Sequence, residues 1–337
     1  MRKNYFLLII VLVFCSCDKD ASDPGTAEVD VFVVGTERMN GASKRVAKYW
    51  KNGQSIAITD GTKDASALSM TIVGSDIYVA GGEESNGNIP IAKYWKNGQP
   101  ISLTNGISAA GATSIAVVGS DIYVAGTEGS VAKYWKNGQA VSLTNVSHQA
   151  QAYSIAIVGS DVYVAGYEDA GSGFVAKYWK NGQAVSLTDG TRHAYAYSIA
   201  VVGSDVYVAG YELSGLNGDP VAKYWRNGQV VPLAAATNAS TASFITVVDG
   251  NVYVSGNDSQ GSVYWKNGQV VSLSSGATNT GAAATSMAIM GNDVYAAGME
   301  SYGPFYSKAK YWKNGEPVLL TDGSTEVGVR DIIVMKR

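Results

Sequence analysis

Tryptophan occurs in this chain only inside a recurring motif, an aromatic doublet followed by a basic residue, asparagine and glycine. The motif reads Tyr-Trp-Lys-Asn-Gly, with arginine replacing lysine in the fifth copy, and successive copies lie 40 to 47 residues apart. The seven tryptophans are Trp50, Trp95, Trp135, Trp179, Trp225, Trp265 and Trp312. A repeat of this length cannot bury a core alone, so the copies must pack against one another in a repeat architecture.

Residues 114–145 show what one repeat contains. Four runs rich in β-branched and aromatic residues (SIAVV, IYVAG, AKYW and AVSLT) are separated by the hairpin signals Gly-Ser-Asp and Asn-Gly. The runs are apolar at most positions, as in strands that are covered on both faces. A period in the forties with four short strands per unit is typical of a β-propeller blade. The sequence therefore predicts an all-β, seven-bladed propeller with four antiparallel strands per blade.

The repeats begin and end out of phase, which predicts how the ring closes. The first strand signal, at Val29–Gly35, matches the second strand of a repeat, whereas the last, at Asp331–Met335, matches a lone first strand. We expect the C-terminal strand to complete the N-terminal blade, because a closed ring leaves no unpaired sheet edge. Blade 1 then comprises residues 28–61 plus 329–337, within a single domain at 28–337.

This strand order resembles that of kelch-like propellers over the whole folded part of the chain. The diglycine of kelch repeats occurs once, as Gly81-Gly82, and other residues follow the glycine in the other repeats. The repeat is also similar to those of uncharacterised bacterial exported proteins with Trp-x-Asn-Gly repeats. That second resemblance implies no activity.

The first 17 residues have the features of an export signal. A cationic start is followed by an apolar run at Tyr5–Phe14 and by Cys15-Ser16-Cys17. The run is shorter than the roughly 20 residues that span a bilayer. Ser16-Cys17 resembles the lipobox of bacterial lipoproteins, which implies removal of residues 1–16 and acylation of Cys17. An ordinary secretory signal, cleaved nearby, is the alternative.

The polar segment at residues 17–27 is predicted to be a flexible tether. Its acidic start resembles the export signals of surface lipoproteins in Bacteroidetes. We therefore expect a lipid-anchored protein of the bacterial envelope, at the outer membrane. The sequence leaves both the periplasmic and the surface face open. The membrane is then a partner through the N-terminal lipid.

Composition limits the remaining partners and cofactors. Both cysteines lie in the export signal, and the formal net charge is −3 without any run of lysine or arginine. The sequence therefore predicts no nucleic-acid partner, no metal site and no cofactor. No nucleophile–base motif is visible, so we expect a non-catalytic protein and a monomer.

Two charged positions recur in register. An acidic residue ends the second strand of each repeat, and a lysine precedes the aromatic doublet in every repeat but the sixth, where Val263 stands. One interpretation is local ion pairs between neighbouring strands. The other is a charged ring that binds a cation or a substrate. The acids are Glu37, Glu83, Glu128, Glu168, Glu212, Asp258 and Glu300, and the lysines are Lys48, Lys93, Lys133, Lys177, Lys223 and Lys310.

Function is expected where the repeats differ, because binding residues concentrate on the variable loops of rigid scaffolds. The Gly-Ser-Asp and Lys-Asn-Gly turns share one face (the constant face), and the linkers and longer loops share the opposite face (the variable face). Aromatic residues with a few polar groups on that face are typical of a ligand site. The tryptophans are assigned to packing between blades. The candidate ligand-binding residues are His148, Tyr153, Arg192, His193, Tyr195, Tyr197, Tyr302, Tyr306 and Arg330.

The leading hypothesis is a membrane-tethered, non-catalytic propeller that binds a glycan, peptide or protein partner through its variable face. Two alternatives remain at this point. One is a carboxylate-based hydrolase or lyase acting on polysaccharide, which would draw on the recurring acidic residues. The other is a purely structural envelope protein.

Overall fold

The repeats fold into seven four-stranded antiparallel sheets around one axis, so the all-β, seven-bladed prediction is confirmed. None of the described residues forms a helix long and apolar enough to cross a membrane. The computed structural model describes residues 28–39, 41–215, 217–236, 239–273, 282–301 and 307–337.

Each blade runs from an inner strand at the axis to an outer strand at the rim. Blade 1 comprises β1 (Val29–Arg38), β2 (Val46–Lys51), β3 (Gln54–Ala57) and β28 (Glu326–Lys336). Blade 2 comprises β4 (Ala65–Val73), β5 (Asp76–Glu84), β6 (Pro90–Lys96) and β7 (Gln99–Ser102). Blade 3 comprises β8 (Ala110–Val118), β9 (Asp121–Glu128), β10 (Val131–Lys136) and β11 (Gln139–Ser142). Blades 4 and 5 comprise β12 (Ala150–Val158), β13 (Asp161–Asp169), β14 (Phe174–Lys180) and β15 (Gln183–Ser186); and β16 (Ala194–Val202), β17 (Asp205–Leu213), β18 (Pro220–Arg226) and β19 (Gln229–Pro232). Blades 6 and 7 comprise β20 (Thr241–Val248), β21 (Asn251–Asp258), β22 (Gly261–Lys266) and β23 (Gln269–Ser272); and β24 (Ala283–Met290), β25 (Asp293–Ser301), β26 (Ser307–Lys313) and β27 (Glu316–Leu319).

The C-terminal strand closes the ring as the sequence predicts. β28 pairs antiparallel with β1 from Val29 opposite Lys336 to Arg38 opposite Glu326, and it is the inner strand of blade 1. It contacts the inner strands of blades 7 and 2, which completes the circle of inner strands. Because this pairing joins the two ends of the folded part, no blade is left with an open inner edge.

Each tryptophan is buried between its own blade and the preceding one. Trp135, for example, is 1% exposed and packs with Tyr78, Ala80 and Ala92 of blade 2. The other six occupy equivalent clusters and are no more than 2% exposed. The alanines of the neighbouring strands leave room for the indole ring, which explains why large and small residues recur together in every repeat.

The Lys-Asn-Gly turns hold the constant face together. Asn137 and Gly138 have φ values of 50° and 81°, the left-handed pair that a two-residue type I′ hairpin requires. The Asn137 side chain accepts a hydrogen bond from the backbone N–H of Ile122 and donates one to Asp121, both at 2.8 Å. Lys136 pairs with the same aspartate at 2.9 Å. The motif is thus a structural clamp between two hairpins of one blade.

The recurring acids and lysines form ion pairs within each blade, and the local-pair interpretation is confirmed for the six blades that carry both residues. Blade 6 lacks the lysine, and there Asp258 instead accepts hydrogen bonds from the backbone N–H groups of Gln260 and Gly261 at 2.7 and 3.1 Å. The pairs are Glu37–Lys48, Glu83–Lys93, Glu128–Lys133, Glu168–Lys177, Glu212–Lys223 and Glu300–Lys310.

Candidate functional site

One residue in the first half of every inner strand is an extra residue relative to the partner strand. In β4, for instance, Ala67 faces Gly81 and Ser69 faces Ala80, so that Leu68 between them has no opposite residue. The same register shift occurs in all seven blades, and such bulges re-aim a side chain. The bulge residues are Leu68, Thr113, Tyr153, Tyr197, Ser243, Thr285 and Arg330.

A glycine on the second strand of each blade makes room for the bulge. A Cβ placed on Gly126 would lie 2.0 Å from the carbonyl oxygen of Gly111 in the inner strand, far inside van der Waals contact. The corresponding distance in the other blades is 1.8 to 2.2 Å. The glycines are Gly35, Gly81, Gly126, Gly166, Gly210, Gly256 and Gly298. The presence of a glycine at this position of every second strand is therefore a requirement of the bulge.

All seven bulge residues line one axial cavity of about 730 Å³. The bulges lie near the starts of the inner strands, and the other lining residues include the ends of second strands, such as Tyr211 and Met299. The cavity therefore occupies the half of the axis nearer the variable face. Its volume falls within the range of about 300–1,000 Å³ that is typical of small-molecule sites.

Tyrosines form one wall of the cavity. The Tyr153 and Tyr197 rings meet edge-to-face with centroids 5.0 Å apart, and the Tyr211 ring lies 5.7 Å from that of Tyr197. Tyr195 packs behind them, 4.9 Å from Tyr211. Burial raises the pKa of the Tyr153 and Tyr197 phenols above their ordinary range, and raises that of Tyr195 to about 12. These phenols are therefore neutral donors and acceptors at physiological pH.

Arg330 lies on the opposite wall. In a ring of seven blades, blade 1 faces the junction of blades 4 and 5, which carry Tyr153 and Tyr197. Loss of hydration inside the cavity, and then the charge of Arg45, lower the pKa of the Arg330 guanidinium from its very high ordinary value. Among the described residues, no carboxylate lies within ion-pair distance of this guanidinium. The cavity thus places a cation opposite an aromatic wall.

The residue after each bulge ties neighbouring blades together. The Ser69, Ser114, Ser154 and Ser198 hydroxyls accept hydrogen bonds from the inner-strand N–H of the next blade, at 3.2 to 3.4 Å. Phe244 replaces this serine in blade 6. The serine row is thus a chain of links between blades, and its hydroxyls are engaged by the protein itself.

In blade 1 the same position holds Asp331, which links two neighbouring blades. One carboxylate oxygen accepts hydrogen bonds from the Ser286 hydroxyl at 2.8 Å and from the Ile332 N–H at 2.9 Å. The other accepts from the Met70 N–H at 3.0 Å and the Ser69 hydroxyl at 3.3 Å. Asp331 therefore joins the closing strand to blades 7 and 2.

The Asp331 carboxyl gives an expected pH dependence of stability. Burial raises the pKa of this carboxyl, against the lowering effect of its four donors. Because the pKa of Asp331 is higher in the folded than in the unfolded protein, its protonated carboxyl stabilises the fold fully below the unfolded-state pKa of about 4. This stabilisation is lost as the pH rises through the folded-state pKa. We expect the free energy of unfolding of the wild type, relative to Asp331→Asn, to fall as pH rises above 4. Urea titrations across pH would contradict this if the difference grew instead.

The structure separates the predicted ligand residues into two groups. Tyr153, Tyr197 and Arg330 line the cavity, and Tyr195 supports its wall. Tyr302 and Tyr306 lie outside the described residues, as does the lipidation candidate Cys17.

The other predicted residues do not reach the cavity. The Nδ1 atom of His193 accepts a hydrogen bond from the Phe174 N–H at 3.1 Å, and its ring packs on that phenylalanine. Arg192 pairs with Glu212 at 3.2 Å. His148 is exposed in the linker before β12. These three residues lie on the variable face and do not form one site.

Several cavity residues escaped the sequence prediction, chiefly Leu68, Thr113, Ser243 and Thr285. The signal was present, because each lies directly after the alanine and before the serine or phenylalanine that starts an inner strand's apolar run. The repeats are otherwise very similar, yet this position varies from leucine to tyrosine to arginine. Such variation indicates a side chain that does not take part in the packing that the blades share.

A second depression, of about 320 Å³, lies at the rim between blades 4 and 5. It is lined by Thr188, Asp189 and Glu212 among others. Thr188 accepts a hydrogen bond from the Ala176 N–H, Asp189 binds Thr191, and Glu212 pairs with Lys223. Since these three polar side chains already have partners within the protein, we place the candidate site in the axial cavity.

The described residues contain no group of three or more histidine, cysteine or acidic side chains arranged to hold a metal ion. Within the same ranges, neither histidine makes a hydrogen bond to a serine or threonine hydroxyl. The cavity is thus suited to a ligand that fits its shape and contacts one cationic side chain and several phenol groups.

No protein-family model matches the chain, and no match to a curated protein is found. Among solved structures, it is similar to a puromycin-hydrolyzing peptidase of Mycobacterium tuberculosis (11% identity, TM-score 0.53), over 75% of this chain and 46% of that one. It is also similar to the β-propeller domain of the Trilobed protease from Pyrococcus furiosus (10% identity, TM-score 0.51, 89% and 96%). A third structure is the acylaminoacyl peptidase of Pyrococcus horikoshii (13% identity, TM-score 0.49, 87% and 50%). The chain spans about half the length of the two complete peptidases, and these likenesses show the propeller fold.

The prediction that the propeller binds a glycan, peptide or protein partner through its variable loops is wrong. Two propeller structures to which the chain is similar belong to a peptidase and a protease. The off-pattern side chains also converge inside the axial cavity rather than on the loops. Six of the recurring acidic residues are paired with lysines, which removes the free carboxylates that the polysaccharide alternative required.

Proposed function

We propose that this propeller serves peptide hydrolysis by taking peptide substrates into its axial cavity. The observation that carries the proposal is the ring of seven bulge residues, because there the blades differ and their side chains line one cavity. Tyrosines, a leucine, a phenylalanine and hydroxyl groups together offer the apolar surface and hydrogen bonds that a peptide needs. The puromycin-hydrolyzing peptidase with the same fold supports the choice of peptide-like substrates.

Bond cleavage is assigned in this proposal to a hydrolytic unit outside the propeller. The matched region is under half of the peptidase chain, which supports a division of labour between propeller and hydrolytic part. The cavity offers no hydroxyl activated by a histidine among the described residues. Four of its serines, Ser69, Ser114, Ser154 and Ser198, accept hydrogen bonds from neighbouring blades. The propeller alone is therefore expected to bind peptides and leave them intact.

Equilibrium dialysis of the full chain against a mixture of tetrapeptides with free termini tests this proposal. Mass spectrometry should find peptides retained intact by the wild type. Ser243→Trp, which places an indole in the cavity, should weaken retention at least about tenfold. Ser75→Trp is the matched control, because Ser75 is exposed in a turn of the constant face.

The dialysis has two results that would contradict the proposal. If the wild type retained no peptide, or if Ser243→Trp retained as much as Ser75→Trp, the axial cavity would not be the peptide site. Release of cleavage products by the purified chain would mean that this protein itself cleaves the peptide bond.

We also propose that the propeller is of the kelch-like kind. Its strand order supports this assignment, since the inner strand of blade 1 is supplied by the C-terminal β28. The second glycine of the kelch diglycine is replaced by tyrosine at Tyr167 and Tyr211, where the side chains build the aromatic wall. This replacement is what distinguishes the chain from the kelch pattern.

The proposed location is the bacterial envelope, with a lipid on Cys17. The cationic start, the apolar run and the small residue before Cys17 support it. In a bacterial host, the wild type should partition into the detergent phase of a Triton X-114 separation, and Cys17→Ala should move to the aqueous phase. Equal partitioning of the two chains would contradict acylation at this residue.

A further inference from the structure

The guanidinium of Arg330 lacks a counter-charge in the cavity. Asp331 follows it directly, but both oxygens of that carboxylate accept hydrogen bonds from blades 2 and 7 or from the closing strand itself. The other charged side chain identified near Arg330 is Arg45, which is also a cation. Arg330 is solvent-exposed and lines the cavity, and an arginine without an anion beside it is poised to bind one from solution.

The form of the cavity restricts which anion fits. Arg330 extends from blade 1, while Tyr153 and Tyr197 extend from the blades across the axis. Leu68, next to Arg330 in the ring, and Phe244 add apolar surface between the two walls. A ligand with one anionic group and an aromatic or apolar group satisfies both walls together.

We propose that Arg330 binds the free C-terminal carboxylate of a peptide, whose aromatic or apolar side chain then packs on the Tyr153–Tyr197 wall. This inference rests on the proposed function and names the end of the peptide that enters the cavity. The planar guanidinium fork matches the two oxygens of a carboxylate, and the arrangement excludes a charged amino terminus at that wall.

An acidic polysaccharide fits less well. Such a polymer carries a charge on every sugar unit, whereas Arg330 is the one cationic residue lining the described part of the cavity. A single cation flanked by leucine and facing tyrosines matches one terminal carboxylate. The experiment includes an acidic oligosaccharide so that this alternative has its own outcome.

The test is isothermal titration calorimetry of the full chain with the tetrapeptide Ala-Ala-Ala-Phe, as the free acid and as the C-terminal amide. The wild type should bind the free acid at least about tenfold more tightly, because a charge-assisted hydrogen-bonded pair is lost in the amide. Arg330→Gln should bind both forms equally and weakly, and Arg330→Lys should keep part of the preference. Arg192→Gln, on the rim, is the matched control and should keep all of it.

Thermal melts first establish that the variants fold, which is expected because Arg330 lacks an ion pair in the described residues. Equal binding of acid and amide by the wild type, or an unchanged preference in Arg330→Gln, would overturn this inference and leave the proposed function standing. Failure of both peptides to bind would overturn both. Arg330-dependent binding of tri-galacturonate without binding of the free-acid peptide would replace the peptide by an acidic sugar and overturn the inference.

Discussion

Gly126→Ala is expected to lower the free energy of unfolding by about 3 kcal/mol or more. The new methyl carbon would lie 2.0 Å from the carbonyl oxygen of Gly111 and 3.0 Å from the ring of Trp135. Both neighbours are fixed, one by the strand pairing and the other by burial between blades, so the clash is relieved only by moving the bulge. Urea denaturation of the two chains would measure the loss.

Gly111→Ala is the matched control, because it alters the other partner of the same contact. A Cβ at Gly111 meets no atom within 4 Å, and its φ lies outside the left-handed region. Alanine there should be neutral, or stabilising by about 0.5–1 kcal/mol through the lower backbone entropy of the unfolded chain. If both variants lost similar stability, the bulge would not be the reason for the second-strand glycines.

Trp135→Ala is expected to cost about 3–5 kcal/mol of unfolding free energy. The indole is 1% exposed and fills the space between blades 2 and 3 against Tyr78 and two alanines, which cannot move inward to refill it. Since each blade contacts both neighbours around the ring, the loss should appear as a lower transition midpoint for the whole domain. Chemical denaturation followed by circular dichroism would measure it.

Val118→Ala is the control for this substitution. Val118 ends the inner strand of the same blade but is 46% exposed, so its truncation should cost well under 1 kcal/mol. A loss for Trp135→Ala no larger than that of the control would mean that the tryptophans do not anchor the blades.

The architecture could be predicted because it depends on patterns that survive in every repeat. The spacing of the tryptophans gave the number of blades, and the lone strand at Asp331–Met335 gave the closure that β28 makes with β1. Both features involve local turn chemistry and burial, which are visible in a single repeat.

The site could be predicted only in part, because the repeat pattern marks the variable position but does not show that a bulge turns its side chain toward the axis. The sequence places Tyr195 and Tyr197 on the face of the linkers and longer loops. In the structure, β16 already begins at Ala194, and the bulge turns Tyr197 toward the axis. The sequence identifies Arg330 as a candidate ligand residue, but its position opposite the tyrosines follows from the closed ring. His193 was predicted to meet a ligand, and instead it accepts a backbone hydrogen bond from Phe174.

Photo-crosslinking can show directly whether peptides bind in the axial cavity. The probe is Ala-Ala-Ala-Phe with its phenylalanine replaced by benzoylphenylalanine, irradiated with the full chain and mapped by mass spectrometry. We expect adducts on fragments that contain Tyr153, Tyr197 or Tyr211, and we expect these adducts to be lost in Ser243→Trp. Adducts confined to the linker around His148, or to the turns of the constant face, would contradict it.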